Sequence, residues 1–181
     1  MLVGGCIAFI MVTSVFIVTL DYIFAPNTSL KYNGFPIRVI NQQFLVNVQG
    51  KDYTFSVYPS DLEYIEVPLH AKELLNAEVL TVTYDPQSDQ PESLGEAQFY
   101  LEDQLKEVRI IDRAVLNNTG LALEQKSCAN ATLGQPVIEL REGNESRIAV
   151  ENECIIVTAI DNPDLARLTE RVVYQVLGVM K

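Results

Sequence analysis

About 180 residues suffice for one domain, or for a membrane anchor followed by a domain of about 150 residues. Acidic residues outnumber basic ones 24 to 13, a formal net charge of −11. That balance argues against nucleic acid, whose phosphates need a basic footprint, and against electrostatic docking on anionic lipid, while the 48% apolar share argues against disorder.

The first element is apolar throughout. Leu2 to Leu20 contains no charged side chain and is rich in Val, Ile, Phe and Leu. At about 1.5 Å per residue, such a run nearly covers a hydrocarbon core of about 30 Å. Asp21 closes it, Tyr22 and Phe24 suit the headgroup region, and Pro26 with Asn27-Thr28-Ser29 stops the helix. A cleaved signal peptide would need a basic start and small residues at its exit, whereas here Ile23 and Pro26 flank Ala25. Val3-Gly4-Gly5-Cys6 resembles a lipobox but precedes the apolar stretch instead of following it. A buried soluble helix is the remaining rival, and one apolar all round at this length is more often a membrane span.

Two features place the rest of the chain outside the cytoplasm. Four Asn-x-Ser/Thr acceptor sites occur, at Asn27, Asn117, Asn130 and Asn144, where chance would give about one. Cys6 lies in the apolar run, which leaves Cys128 and Cys154 as an even pair. They are either two separate buried thiols or a bridge; a bridge closing about 27 residues would contribute roughly 3.5 kcal/mol in the chain-entropy model. Together the sequons and the pair favour an oxidising compartment.

Past the anchor, Tyr32-Asn33-Gly34 signals a turn and Pro36 to Ile40 an extended stretch. Phe44, Val46 and Val48 alternate with Leu45, Asn47 and Gln49, and Tyr53, Phe55 and Val57 with Thr54 and Ser56, around a Gly50-Lys51-Asp52 turn; this predicts a β-hairpin. A helical turn begins at Ser60, and Glu78 to Tyr84 reads as a strand. After the polar loop Asp85–Glu92, Leu94, Ala97, Leu101, Leu105 and Val108 recur at helical spacing. Val108 to Val115 reads as a strand, and Asn117 to Lys126 has no clear period. Pro136–Leu140, Arg147–Val150 and Cys154–Ile160 are three further strands, the last apolar enough to be covered on both faces. Asn162 as N-cap, Pro163, and the stripe Leu165, Leu168, Val172 and Val176 then define a helix that Gly178 ends.

The predicted architecture is α+β: one transmembrane anchor (1–25), then a mixed-sheet extracytoplasmic domain (30–181) with two main packing helices. A division into two subdomains near 117–127 is possible on the same reading.

No residue set announces catalysis. His70 is the one histidine, so no two-histidine metal motif exists, and neither a Cys-x-x-Cys pair nor a glycine-rich phosphate or dinucleotide loop occurs. Asp85, Asp89, Glu92 and Glu96 could offer oxygens to a hard cation, but their spacing matches no EF-hand and reads as a solvated loop. No catalytic, metal or cofactor-binding residue is therefore assigned, and no cofactor is expected.

Cys154-Ile155-Ile156-Val157, Leu165-Ala166-Arg167-Leu168-Thr169-Glu170-Arg171 and Leu177-Gly178-Val179-Met180 resemble the endings of archaeal membrane-anchored surface proteins. Cys128-Ala129-Asn130-Ala131-Thr132 and Pro136-Val137-Ile138 extend the resemblance over about the last 55 residues. It implies an archaeal source and an extracytoplasmic, disulfide-linked α/β unit. The expectation is a non-catalytic, single-span surface or accessory protein, held in lipid through residues 2–24, that binds a protein partner or itself. The alternatives are a pilin-like filament subunit with its N-terminal helix in a fibre core, and a carboxylate-based extracytoplasmic hydrolase.

Overall fold

The computed structural model describes residues 30–118 and 120–181; the apolar N-terminal run and the Asn27 sequon lie outside them. Among the described residues no helix is long and apolar enough to cross a membrane. They form an α+β structure with two sheets and three α-helices.

The smaller sheet is an antiparallel meander of β1 (Leu30–Tyr32), β2 (Phe35–Ile40), β3 (Gln43–Val48) and β4 (Lys51–Phe55). Each connection is two residues long with both φ angles positive: Asn33–Gly34 (47° and 87°), Asn41–Gln42 (51° and 64°) and Gln49–Gly50 (51° and 88°). Type I′ turns of this kind match the twist of the strands they join. Register sets Ile37 opposite Val46 and Val46 opposite Tyr53, so period-two alternation buries these three with Val48 and Phe55. The hairpin expected over Phe44–Val57 is β3–β4, turning at Gln49–Gly50 and thus slightly earlier than its polar residues suggested.

A 3₁₀ turn (Pro59–Leu62) and a short helix, α1 (Leu69–Leu74), lead to the larger sheet. Its strands are β5 (Val79–Tyr84), β6 (Ile110–Val115), β7 (Glu124–Gln125), β8 (Val137–Glu142), β9 (Arg147–Glu151) and β10 (Cys154–Ala159). The order is β7-β6-β5-β8-β10-β9, with β9 antiparallel to β10 and the other pairings parallel. All six residues of β10 are buried, as its unbroken apolar run predicted. The core strands are covered on both faces.

Helices α2 (Pro91–Leu105) and α3 (Asn162–Val176) pack against each other and on one face of this sheet. Facing them are Leu80 and Val82 of β5, Ile138 and Leu140 of β8, and Ile155 and Val157 of β10, all within the main core. Gln98 of α2, itself buried, donates to the carbonyls of Val82 and Ala114 at 2.7 and 2.8 Å, so its burial leaves the amide NH₂ group paired. Asp161 caps α3 by accepting from the Asp164 N–H at 2.9 Å, one residue before the expected cap.

The N-terminal half of α3 buries a stripe, but every residue from Leu168 to Tyr174 is buried. The reason is that α3 touches both sheets. One side lies on β10, and another meets the end of β4, where Tyr174 stacks on Phe55 with ring centroids 3.8 Å apart. Val176, expected in the stripe, is only half-buried.

Gln42 and Gln49 are the two positions in the three turns where a long side chain occupies the left-handed region without the local hydrogen bonding that helps Asn, and of the two only Gln42 has no glycine beside it in its turn. The Gln42→Gly variant is expected to be more stable by about 0.5–1 kcal/mol, read as a higher urea midpoint with an unchanged slope.

Candidate functional site

The second face of the larger sheet is unlike the first. Alternation turns Thr81 and Thr83 of β5, Asp112 of β6, Val137, Glu139 and Arg141 of β8, and Cys154, Ile156 and Thr158 of β10 toward it. The segment between β6 and β8 crosses over this face and is fastened by a disulfide between Cys128 and Cys154. Cys154 is fully buried and begins β10; Cys128 opens a 3₁₀ turn, Cys128–Asn130, whose Ser127 and Asn130 form a reciprocal capping box. Of the two alternatives left by the sequence, the bridge is the one found. Val137 and Ile156 pack around it.

Glu139 lies beside the bridge, 8% exposed. One carboxylate oxygen pairs with Arg141 Nη2 at 2.7 Å, and the other is 3.0 Å from Cys128 Sγ. A disulfide sulfur carries no proton, so the latter is a contact and not a hydrogen bond. Among the described residues, Cys128, Glu139 and Cys154 are the one set of three acidic, cysteine or histidine side chains with ligand atoms within 4.8 Å. The bridge occupies both sulfurs, so the oxidised chain presents no thiolate pair to a metal there.

A polar network continues toward β7. Asp112 accepts from Lys126 Nζ (2.5 Å), Gln135 Nε2 (3.0 Å) and Thr81 Oγ1 (3.2 Å). Thr83 Oγ1 donates to the Lys126 carbonyl at 2.8 Å. The hydrogen bond to Asp112, and then that to Glu124, raises the Lys126 pKa above its ordinary value. The bonds from Lys126 and Gln135 to Asp112, and from Thr83 to the Lys126 carbonyl, join the crossing segment to β5 and β6 and so fasten it.

The other candidate sites are dispersed. Asn117, Asn130 and Asn144 are all exposed. Asn117 Nδ2 donates to Asp85 at 3.3 Å, Asn130 uses its Oδ1 in the capping box, and Asn144 sits in the loop that connects β8 to β9. Asp85 closes a local turn by accepting from the Gln87 N–H at 2.9 Å, and Glu92 lies in the first turn of α2, where it suits the helix dipole. His70 is exposed and contacts Glu73 on its own helix at 3.1 Å.

A cleft of about 260 Å³ lies between α2 and α3, lined by Ser93, Glu96, Ala97, Tyr100, Leu165 and Glu170 among others. The Tyr100 hydroxyl is buried there without a hydrogen-bond partner, and burial, then Glu170, pushes its pKa upward. Glu170 is itself buried, which raises its pKa above its ordinary value, against the pull of hydrogen bonds from Ser56 N–H (2.7 Å), Ser56 Oγ (2.6 Å) and Val57 N–H (2.9 Å). Arg171, also buried, donates to the Ile65 carbonyl at 3.2 Å and reaches the Lys181 carbonyl at 3.5 Å. Sequence reading passed over both residues, because adjacent charges in a helix normally mark its solvated face. The signal was available: Glu170-Arg171 interrupts a stretch otherwise bounded by Leu168, Val172 and Val173.

This geometry defines an α+β domain whose buried charges act on its own backbone and whose second sheet face is closed by a bridged segment. Compared with known protein families, curated proteins and solved structures, the chain matches none.

Because the folded pKa of Glu170 is raised, its protonated form is favoured in the fold, and stability from this group declines as pH rises from the unfolded value of about 4.3 through the folded one. Replacing it by a group that does not titrate removes that decline. The difference in urea midpoint between wild type and Glu170→Gln is therefore expected to shift in the variant's favour between pH 4 and pH 7.

Proposed function

We propose that the chain is a single-span membrane protein whose α+β domain works outside the cytoplasm as a non-catalytic surface or accessory component that binds another protein. The observation that carries this reading is the conjunction of an uncharged apolar run, Leu2–Leu20, with a disulfide fastening the domain that follows it. Disulfides persist where the surroundings are oxidising. The exposed sequon asparagines Asn117, Asn130 and Asn144 support the same compartment, since glycan addition needs accessible amides.

Binding in place of catalysis is supported by what the charged side chains do. Glu170 and Arg171 are committed to backbone groups, Asp112 to its network, and Glu139 to Arg141. A protein held at a surface by lipid through residues 2–24 acts by presenting a folded face to a partner. The negative surface favours a partner with a basic complement.

Protease added to intact cells is expected to remove the domain. The same chain should resist extraction from membranes by alkaline carbonate, and a variant lacking residues 2–24 should be released in soluble form. A full-length chain found in the soluble fraction, or one shielded from external protease in intact cells, would contradict the proposal.

A further inference from the structure

The β2–β3 hairpin ends in a tip that the core does not cover. Val39 is 46% exposed and Ile40 45% exposed. Consecutive strand residues point to opposite faces of a sheet, so exposure of both means that the strand end projects beyond the core, not that one face lacks a cover. Asn41, Gln42 and Gln43 at the turn are exposed and uncharged. No charged side chain occurs from Val39 to Gly50, in a chain of which one residue in five is charged. Leu30, on the neighbouring strand, is a further exposed apolar residue at 39%.

The register says where this tip lies. Leu30 is level with Ile37, and β1 and β2 are antiparallel. Val39 and Ile40 therefore lie two and three residues, about 7–10 Å, beyond Leu30 on the side from which the chain arrives. Residues 25–29 span at most about 18 Å even when fully extended. The β3–β4 turn is at the opposite end of the meander, where Lys51 meets Glu107 at 3.4 Å.

Resting on the membrane-anchored reading above, we infer that the tip formed by Val39, Ile40 and the Asn41–Gln42 turn seats in the interfacial layer of the same bilayer. The domain is thereby held at a fixed tilt and does not swing freely on its tether. The chemistry fits a zwitterionic interface: apolar side chains meet the upper acyl region while amide side chains hydrogen-bond among headgroups. A net charge of −11 opposes approach to anionic lipid, and the uncharged tip is the part least subject to that repulsion.

The chain has no Trp, so single Trp variants report position directly. Full-length Ile40→Trp and Val39→Trp are reconstituted into phosphatidylcholine vesicles with and without brominated acyl chains, beside Ile110→Trp. Ile110 is 57% exposed and three residues from Glu107, which places it at the far end. The expected result is co-flotation of all three proteins, with blue-shifted emission and bromine quenching for Trp at 39 and 40 only. Flotation without quenching at 39 or 40 would overturn the seating while leaving the anchor intact, and equal quenching at 110 would overturn the one-ended orientation. Failure of the wild-type chain to float would overturn the anchor and this inference together.

Discussion

Tyr174 stacked on Phe55, with Glu170 accepting from the two N–H groups that follow β4, ties the small sheet to a helix that the large sheet also buries. Without that contact the meander would be a four-stranded sheet with one apolar face in water. With it, Ile37, Val46 and Tyr53 join the same core as Leu80, Ile138 and Val157. The helix gives up its solvated face to do this. Its mid-section therefore needs polar side chains whose partners are supplied locally, and Glu170 and Arg171 meet that need through backbone groups of residues 56, 57, 65 and 181. Charges buried with such partners are tolerated; without them the desolvation penalty would stand alone.

The two faces of the large sheet divide the labour. The helix face is apolar and builds the core, while the second face carries threonines, an acid–base network and the bridge. A segment with little regular structure lies over that second face, and such a segment buries too little apolar surface to hold itself in place. The disulfide and the Asp112–Lys126–Gln135 hydrogen bonds fasten it at two points.

Much of this could be read from residues alone where a period was long enough to see. The β3–β4 hairpin, β5, α2 and the β10–α3 unit each show alternation or helical spacing over several residues, and the structure contains them, although α2 ends at Leu105 and leaves Val108, expected in its stripe, in the turn beyond it. Elements held by tertiary context were not legible. Strands β1 and β7 are three and two residues long, too short for any period, and α1 is a six-residue helix without a side-chain cap. The Asn41–Gln42 turn lacks the glycine that marks its two sisters. The partnership of Glu139 with the bridge joins residues whose neighbourhood comes from parallel pairing between β8 and β10, which sequence spacing does not encode.

Packing on α3 makes both sheets one cooperative unit, and native-state hydrogen exchange reads that cooperativity amide by amide. Amides in the ladders of β3 and β4 should open with the same free energy as those of β8 and β10, because losing the meander exposes the face of α3 on which it rests. Exchange of the β3–β4 amides at a distinctly lower free energy, with β8 and β10 still protected, would contradict it.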